Sequence, residues 1–305
     1  MELHQLRYFV AVAEAGSFRE AAAQCHVAQP SLSQQIIKLE KSLGHKLFDR
    51  LGRRIALTEA GRALLPRANA ILTAVREAQR DVEKDIETGH GPLAVGAIPT
   101  IAPFLLPRTV GRFVKSFPHA DLTVFEDLTE ALIERLLRAE LDLCILSLPI
   151  DHDQIETEPV LDDPLLVVAP REGDVAGMAE MSLEEFQDRP AVLLHEMHCL
   201  GQLIRGLCQG SGLRQRIVCH TTQLTTVQSL VALGLGISLV PRICAAGDRS
   251  RRCVYRPLRG APSTRKIAVA WRRGRERSWL ADRFLEEVRQ EGERLAALDD
   301  ATIFH

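Results

Sequence analysis

The chain has 305 residues, with 38 Lys and Arg against 40 Asp and Glu, for a net charge of −2. That length holds two or three domains with real cores, and the charge balance excludes a general polyanion binder, so any nucleic-acid contact must rest on a local cluster of cations. Seven scattered cysteines do not read as a secreted disulfide framework, the first residues carry Glu2 and Arg7 and lack a signal peptide's apolar core and cleavage site, and the longest apolar run, Leu230 to Val240, is too short for a bilayer; the expected setting is a reducing cytoplasm, with no membrane as partner.

Residues 2–13 carry Leu3, Leu6, Phe9, Val10 and Val12 at helical spacing. Ser17 and Glu20 have the spacing of a capping box for a second helix through Ala21, Ala22 and Ala23. Val27 and Ala28 fill a turn, and Pro30 suits the first turn of a third helix. Leu32, Ile36, Leu39 and Leu43 give that helix one buried face, and Gly44 stops it. Its other face carries Gln29, Ser31, Ser33, Gln34, Gln35 and Lys38, short or amide-bearing side chains suited to base edges and phosphates in a major groove. Arg50, Arg53 and Arg54 follow as a cationic wing for the phosphate backbone. The candidate contacts to double-stranded DNA are Gln29, Pro30, Ser31, Ser33, Gln34, Lys38, Arg50, Arg53 and Arg54.

Thr58 starts a long helix running to about Thr88, in which Leu64, Ala68, Ile71, Val75, Ala78 and Val82 form a heptad seam. Gly89-His-Gly-Pro92 ends it. From Leu93 strands and helices alternate. Strands are expected at Leu93–Ile98, Asp121–Glu126, Leu141–Leu148, Leu165–Ala169, Ala191–Leu194, Arg216–His220, Gly236–Val240, Cys253–Pro257 and Lys266–Trp271. Helices are expected at Pro103–Ser116, Thr129–Ala139, Cys199 to about Gly210, Leu224–Leu233 and Ser278–Ala296, the last with Leu280, Phe284, Leu285 and Val288 inward. This order argues for a parallel-rich α/β architecture. The chain is expected to cross between two halves near Leu161–Pro164 and again near Arg265.

Ligands in open α/β sheets bind beyond the carboxyl ends of strands, where helix N-termini converge. Thr100, Thr129 and the pair His198-Cys199 fall at such places. Cys199 opens a helix beside His198, and both features favour the thiolate, the form that reacts with peroxide to give sulfenic acid and then a disulfide with any thiol in reach. Cys208 lies nine residues on. Cys25, Cys144, Cys219 and Cys244 read as small core residues. No Walker loop, nucleophile elbow or metal-spaced cluster is present, so no cofactor and no metal are expected.

Several stretches carry a family resemblance. Met1-Glu-Leu-His-Gln-Leu-Arg-Tyr-Phe-Val10, Gln29-Pro-Ser-Leu-Ser-Gln-Gln35, Leu47-Phe-Asp-Arg50 and Leu57-Thr-Glu-Ala-Gly61 resemble the winged helix-turn-helix of LysR-type transcriptional regulators. The resemblance implies an all-α winged helix-turn-helix domain over 1–60, a dimerising linker helix over 58–89 and an α/β effector domain over 90–305. That domain would have two Rossmann-like, periplasmic-binding-protein-like halves, one of 90–162 plus 266–305 and the other of 163–265. It also implies a homodimer or homotetramer on DNA, with RNA polymerase as a further partner. The segment Leu193 to Cys208, with Ile98-Pro-Thr100, Glu126 through Thr129 and Gly234 through Pro241, is similar to the peroxide-sensing members of that family. By that similarity Cys199 is the peroxidatic cysteine, Cys208 the resolving one, and Thr100, Thr129, His198 and Arg265 surround hydrogen peroxide. The segment departs from the pattern at Met197, where glycine is usual, and at Gly201-Gln202, where Arg-Asp is usual. Two alternatives stand beside this reading: a regulator answering to a small organic ligand in the same cleft, and a Cys-His enzyme, against which the DNA-reading segment argues.

Overall fold

The computed structural model describes residues 1–51, 54–83, 89–209, 216–260, 264–299 and 303. It divides into two compact units, Met1–Asp85 and Ile86–His305. No helix among the described residues is long and apolar enough to cross a membrane.

In the first unit, helices α1 (Leu3–Ala15), α2 (Phe18–Gln24) and α3 (Gln29–Leu43) precede a hairpin of β1 (Phe48–Leu51) and β2 (Arg54–Leu57), then helix α4 (Glu59–Glu83). Leu6, Phe9, Val12, Ala21, Leu32 and Leu39 close its core. Gly16 and Gly44 end α1 and α3 at φ +62° and +73°, the left-handed conformation that glycine adopts without strain. Ser17 caps α2 by accepting the Glu20 N–H at 3.4 Å. Buried Glu40 ties α3 to the hairpin: one carboxylate oxygen accepts the Leu47 N–H at 2.9 Å, the other the Lys46 ammonium at 3.1 Å. Thr58 caps α4, accepting the Gly61 N–H and donating to the Lys46 carbonyl.

The expected heptad seam on α4 divides. Ala68 is buried in the unit's own core and Leu64 packs against it, whereas Ile71 and Ala78 face outward. The side chain of Val82 and residues 84–88 lie outside the described residues.

The second unit holds a continuous sheet in the order β10-β6-β11-β5-β3-β4, with β9 also on β6, and a separate β7-β8 pair. Its strands are β3 (Gly91–Ala97), β4 (Ala120–Glu126), β5 (Leu143–Ser147), β6 (Ile155–Pro170), β7 (Ala191–Leu194), β8 (Ile217–Thr221), β9 (Ser238–Pro241), β10 (Cys253–Pro257) and β11 (Thr264–Arg272). Helices α5 (Ala102–Ser116), α6 (Thr129–Leu137), α7 (Leu183–Gln187), α8 (Cys199–Gln209), α9 (Leu224–Ala232), α10 (Arg242–Gly247) and α11 (Trp279–Ala296) complete it. Among the strand pairs of the described residues, β3 with β4, β3 with β5 and β7 with β8 are parallel and the others are antiparallel. The sheet is therefore mixed rather than parallel-rich.

Strand β6 is the main departure from expectation. Only Leu165–Ala169 reads as a strand, yet β6 spans 16 residues. Its first part pairs with β11 against one core, and its last part pairs with β10 and β9 against another. Pro159, Pro164, Glu156, Glu158, Asp162 and Asp163 hide the first part in the sequence, because prolines and carboxylates are depleted in strands. Helices α7 and α10 were not expected either; five and six residues are too few for a periodic signal.

Helix α11 lays Leu280, Phe284, Leu285 and Val288 into the first core. Its Gly292 sits where an added Cβ would lie 2.3 Å from the Val160 carbonyl oxygen, whereas Gly111 in α5 has open space. Alanine in an exposed helix gains about 1 kcal/mol over glycine, so Gly111→Ala should raise the urea midpoint of unfolding. Gly292→Ala should lower it, through a loss of about 1–3 kcal/mol of unfolding free energy, as overpacking does. Equal midpoint shifts for the two variants would contradict the close approach of α11 to β6.

Candidate functional site

The first unit presents α3. Gln29, Pro30, Ser31, Gln34 and Lys38 are exposed on it. Ser33 is half-buried, and its hydroxyl accepts the Gln29 amide at 3.4 Å. Gln35 turns away from that face: its Oε1 accepts the Gln5 amide at 3.2 Å and lies 3.2 Å from His4 Nε2, so it locks α3 to α1. The backbones of Arg50 and Arg54 stand in β1 and β2, Arg50 in register with Ile55 and Arg54 with Leu51, in the hairpin that forms the wing. Their side chains, and the whole of Arg53, lie outside the described residues.

The second unit holds a cavity of about 170 Å³ lined by Thr100, Thr129, Met197, His198, Cys199 and Gln202, with Ile98, Leu128 and Pro149 among its apolar wall. Strand ends create it. Thr100 follows β3, Thr129 opens α6 after β4, and His198-Cys199 sits where α8 starts after β7. Three helix starts thus face one space.

Arg265 does not line the cavity. It is buried behind it on β11, donating to the Thr100 hydroxyl at 2.9 Å, to the Thr100 carbonyl at 3.0 Å and to Asp163 at 2.9 Å. Asp163 also accepts the Ile243 N–H at 3.0 Å. Burial pushes the Asp163 carboxyl upward in pKa, against the pull of the guanidinium and the backbone N–H groups. A threonine hydroxyl that accepts from Arg265 keeps its own proton to donate. Arg265 therefore orients Thr100, and its charge reaches the cavity through that hydroxyl. Asp163 escaped the sequence reading because a carboxylate in a polar run ordinarily faces solvent.

His198 corrects an expectation. Burial pushes its imidazole pKa down, with a smaller upward pull from a backbone hydrogen bond to Thr222. It is neutral near pH 7 and brings no positive charge to Cys199. Its Nε2 is buried and has no hydrogen-bond partner among the described residues. A neutral imidazole whose other nitrogen donates to a carbonyl offers a lone pair there.

The loop from His195 to His198 is fixed on α8. Met197 donates its N–H to His195 Nδ1 at 3.1 Å, Gln202 donates to the Glu196 carbonyl at 3.0 Å, and Arg205 pairs with Glu196. A Cβ at Gly201 would lie 2.3 Å from the His195 carbonyl oxygen, so this close approach needs glycine. Gly201 and Gln202, read from sequence only as departures from a pattern, are what seat the loop.

Cys199 is half-buried and a free thiol. Cys208 stands on the same helix, and its side chain lies outside the described residues. The thiols of Cys144, Cys244 and Cys253 are buried and pushed up in pKa, that of Cys253 to about 11, which leaves them unreactive.

Residues 3–62 match the bacterial regulatory helix-turn-helix protein, lysR family, and residues 87–293 match the LysR substrate binding domain. The chain is 32% identical to the hydrogen peroxide-inducible genes activator of Dickeya chrysanthemi, over 97% of this chain and 99% of that one. It is 33% identical to the DNA-binding transcriptional dual regulator OxyR of Escherichia coli K12, over 90% of each. Among solved structures, full-length OxyR C199D from Pseudomonas aeruginosa superposes with a TM-score of 0.71 at 29% identity, covering 96% of this chain and 95% of that one. CbnR in complex with its target DNA gives 0.65 at 26% identity, covering 95% and 100%. These relatives are regulators of transcription and not enzymes. With a reader of that type at its N-terminus and an effector domain of that type behind it, the chain belongs to the LysR family of bacterial transcriptional regulators.

Proposed function

We propose that this regulator senses hydrogen peroxide by oxidation of Cys199, followed by a disulfide between Cys199 and Cys208, and that this change alters its action on DNA. The observation that carries the reading is that His198, whose buried Nε2 has no hydrogen-bond partner among the described residues, lines the same cavity as Cys199, Thr100 and Thr129. Hydrogen peroxide brings O–H donors for that nitrogen and acceptor oxygens for the hydroxyls of Thr100 and Thr129. A carboxylate ligand brings no donor, which weighs against an organic anion. The cavity is larger than peroxide needs, and this favours the second reading, a small uncharged organic ligand in the same cleft. The relatives named as hydrogen peroxide-inducible activators favour the first.

In the first step the Cys199 thiolate attacks one peroxide oxygen. The S–O bond forms, the O–O bond breaks, and the leaving hydroxide departs as water once protonated. In the second, the Cys208 thiolate attacks the sulfenic sulfur, the S–O bond breaks, and the hydroxide displaced leaves as a second water once protonated, giving the disulfide. Nine residues of helix at about 1.5 Å rise put the two Cα atoms roughly 13 Å apart, and α8 is helical from Cys199 to Gln209. A disulfide needs Cα atoms within about 7 Å. Forming the bond must therefore unwind α8, and that refolding is the switch.

DNA is contacted through α3 and the wing, with Gln29, Pro30, Ser31, Ser33 and Gln34 toward bases and Lys38, Arg50, Arg53 and Arg54 toward phosphates. The outward stripe of Ile71 and Ala78 on α4 is the surface by which the protein becomes a homodimer or homotetramer. RNA polymerase is the partner on which such a regulator acts.

Lys38→Ala should weaken binding to all DNA sequences alike and reduce the salt slope by about 1, while Gln34→Ala should lose about 1–3 kcal/mol on the operator alone. Electrophoretic mobility shifts against salt and against scrambled DNA measure both; the reverse pattern would reassign the face. Cys199→Ser should abolish the peroxide-dependent change in DNA footprint and leave reduced-state binding intact. A footprint that still responds would remove the redox reading and promote the small ligand. In the unmodified protein, oxidation should raise amide hydrogen exchange across Cys199–Gln209 more than elsewhere, and unchanged exchange there would defeat the unwinding switch.

A further inference from the structure

The cavity wall contains a second sulfur that the two-cysteine scheme does not use. Met197 lines the same space as Cys199 and is 45% exposed. It is held there by its own N–H bond to His195, by the Gln202 and Arg205 contacts to Glu196, and by the contact of Gly201 with the His195 carbonyl. A thioether needs no deprotonation to react with a peroxide. An oxidant bound for attack by Cys199 is therefore also presented to Met197.

We infer that Met197 is a second oxidation site fed by this cavity, taking one oxygen atom from the peroxide held beside Cys199. This rests on the peroxide reading of the cavity given above. In the step, a sulfur lone pair attacks the nearer peroxide oxygen as the O–O bond breaks. The proton on the transferred oxygen passes to the departing hydroxide, so the products are methionine sulfoxide and water. Sulfur gives up two electrons, and the peroxide takes them. An apolar side chain at the mouth of the cavity becomes a polar one. Met197 reacts only while α8 is folded, because the loop that places it is tied to that helix. Disulfide formation and sulfoxidation are thus competing fates of the same bound oxidant. The sulfoxide records exposure that the disulfide has failed to intercept.

The chain supplies its own controls among four methionines. Met1 is 58% exposed, more than Met197, Met178 is half-buried and Met181 is buried. If exposure alone governed oxidation, Met1 would react first. The full-length Cys199→Ser protein, in which α8 cannot be drawn into the disulfide, should be treated with hydrogen peroxide and digested, and the gain of one oxygen followed at each methionine. Met197 should react at least about tenfold faster than Met1, as expected for an oxidant held at raised effective concentration. Thr129→Val in the same background, which removes a hydroxyl from the cavity wall, should bring Met197 down to the rate of Met1. A rate at Met197 no greater than at Met1 overturns the inference, and so does a fast rate that survives Thr129→Val. Sulfenic-acid trapping at Cys199 in the unsubstituted protein reports on the peroxide reading separately. Oxidised Cys199 with slow Met197 removes this inference alone, whereas unreactive Cys199 removes the reading beneath it.

Discussion

The effector unit depends on one buried ion pair. Arg265 and Asp163 are both inaccessible to solvent, on strands that face each other in register, and are joined at 2.9 Å. Two charges taken from water need more than each other. Here Asp163 also takes the first N–H groups of α10, and Arg265 takes both oxygens of Thr100. Four pieces of backbone therefore meet at one point: β6, β11, the start of α10 and the turn between β3 and α5. Removing one partner would leave the other charge buried and alone, which costs about 3–5 kcal/mol. The same pair fixes the threonine that faces the cavity, so stability and the geometry of the site rest on a single contact.

Among the described residues, the opposite wall rests on no buried charge pair, and its Arg205–Glu196 ion pair is exposed. Neutral His198, the tight seat of Gly201 and the amide of Gln202 set it by close packing and hydrogen bonds to backbone. One side of the cavity is held by a fixed charge network in the sheet. The other rides on a helix of 11 residues. Under the proposed disulfide switch, the fixed wall would align the chemistry on one side while α8 expressed the response on the other.

Much of this was legible in the sequence, for physical reasons that differ by region. Leu32, Ile36 and Leu39 lie at 3.6-residue spacing, and that periodicity alone orients α3. Strand ends followed by Thr or His-Cys sufficed to pick out Thr100, Thr129, His198 and Cys199, because α/β topology puts such ends on one side. The first part of β6 was hidden by its prolines and carboxylates, which local propensity assigns to loops. Asp163 was invisible because its partner is 102 residues away. The burial that pushes the His198 imidazole down in pKa was not foreseen, because a sequence does not disclose how far an imidazole is removed from water. Gln35 looked like part of the DNA face until its bonds to α1 were seen. In each case a distant partner overrode the local signal.

The course of β6 and β11 also bears on synthesis from the ribosome. The sheet of the first core needs β3, β4 and β5, and it needs β11 and α11 from the last part of the chain. A nascent chain emerging N-terminus first can complete Met1–Asp85 early, since that unit closes on local contacts. The first core must wait, with the first part of β6 and one edge of β5 unpaired, until β11 has been made. A product truncated before Thr264 would keep the means to fold a DNA reader and lose the strand that carries Arg265. Such fragments would keep a DNA reader without a closed effector unit, so clearing unfinished chains matters more for this architecture than for one whose effector unit closes before its reader.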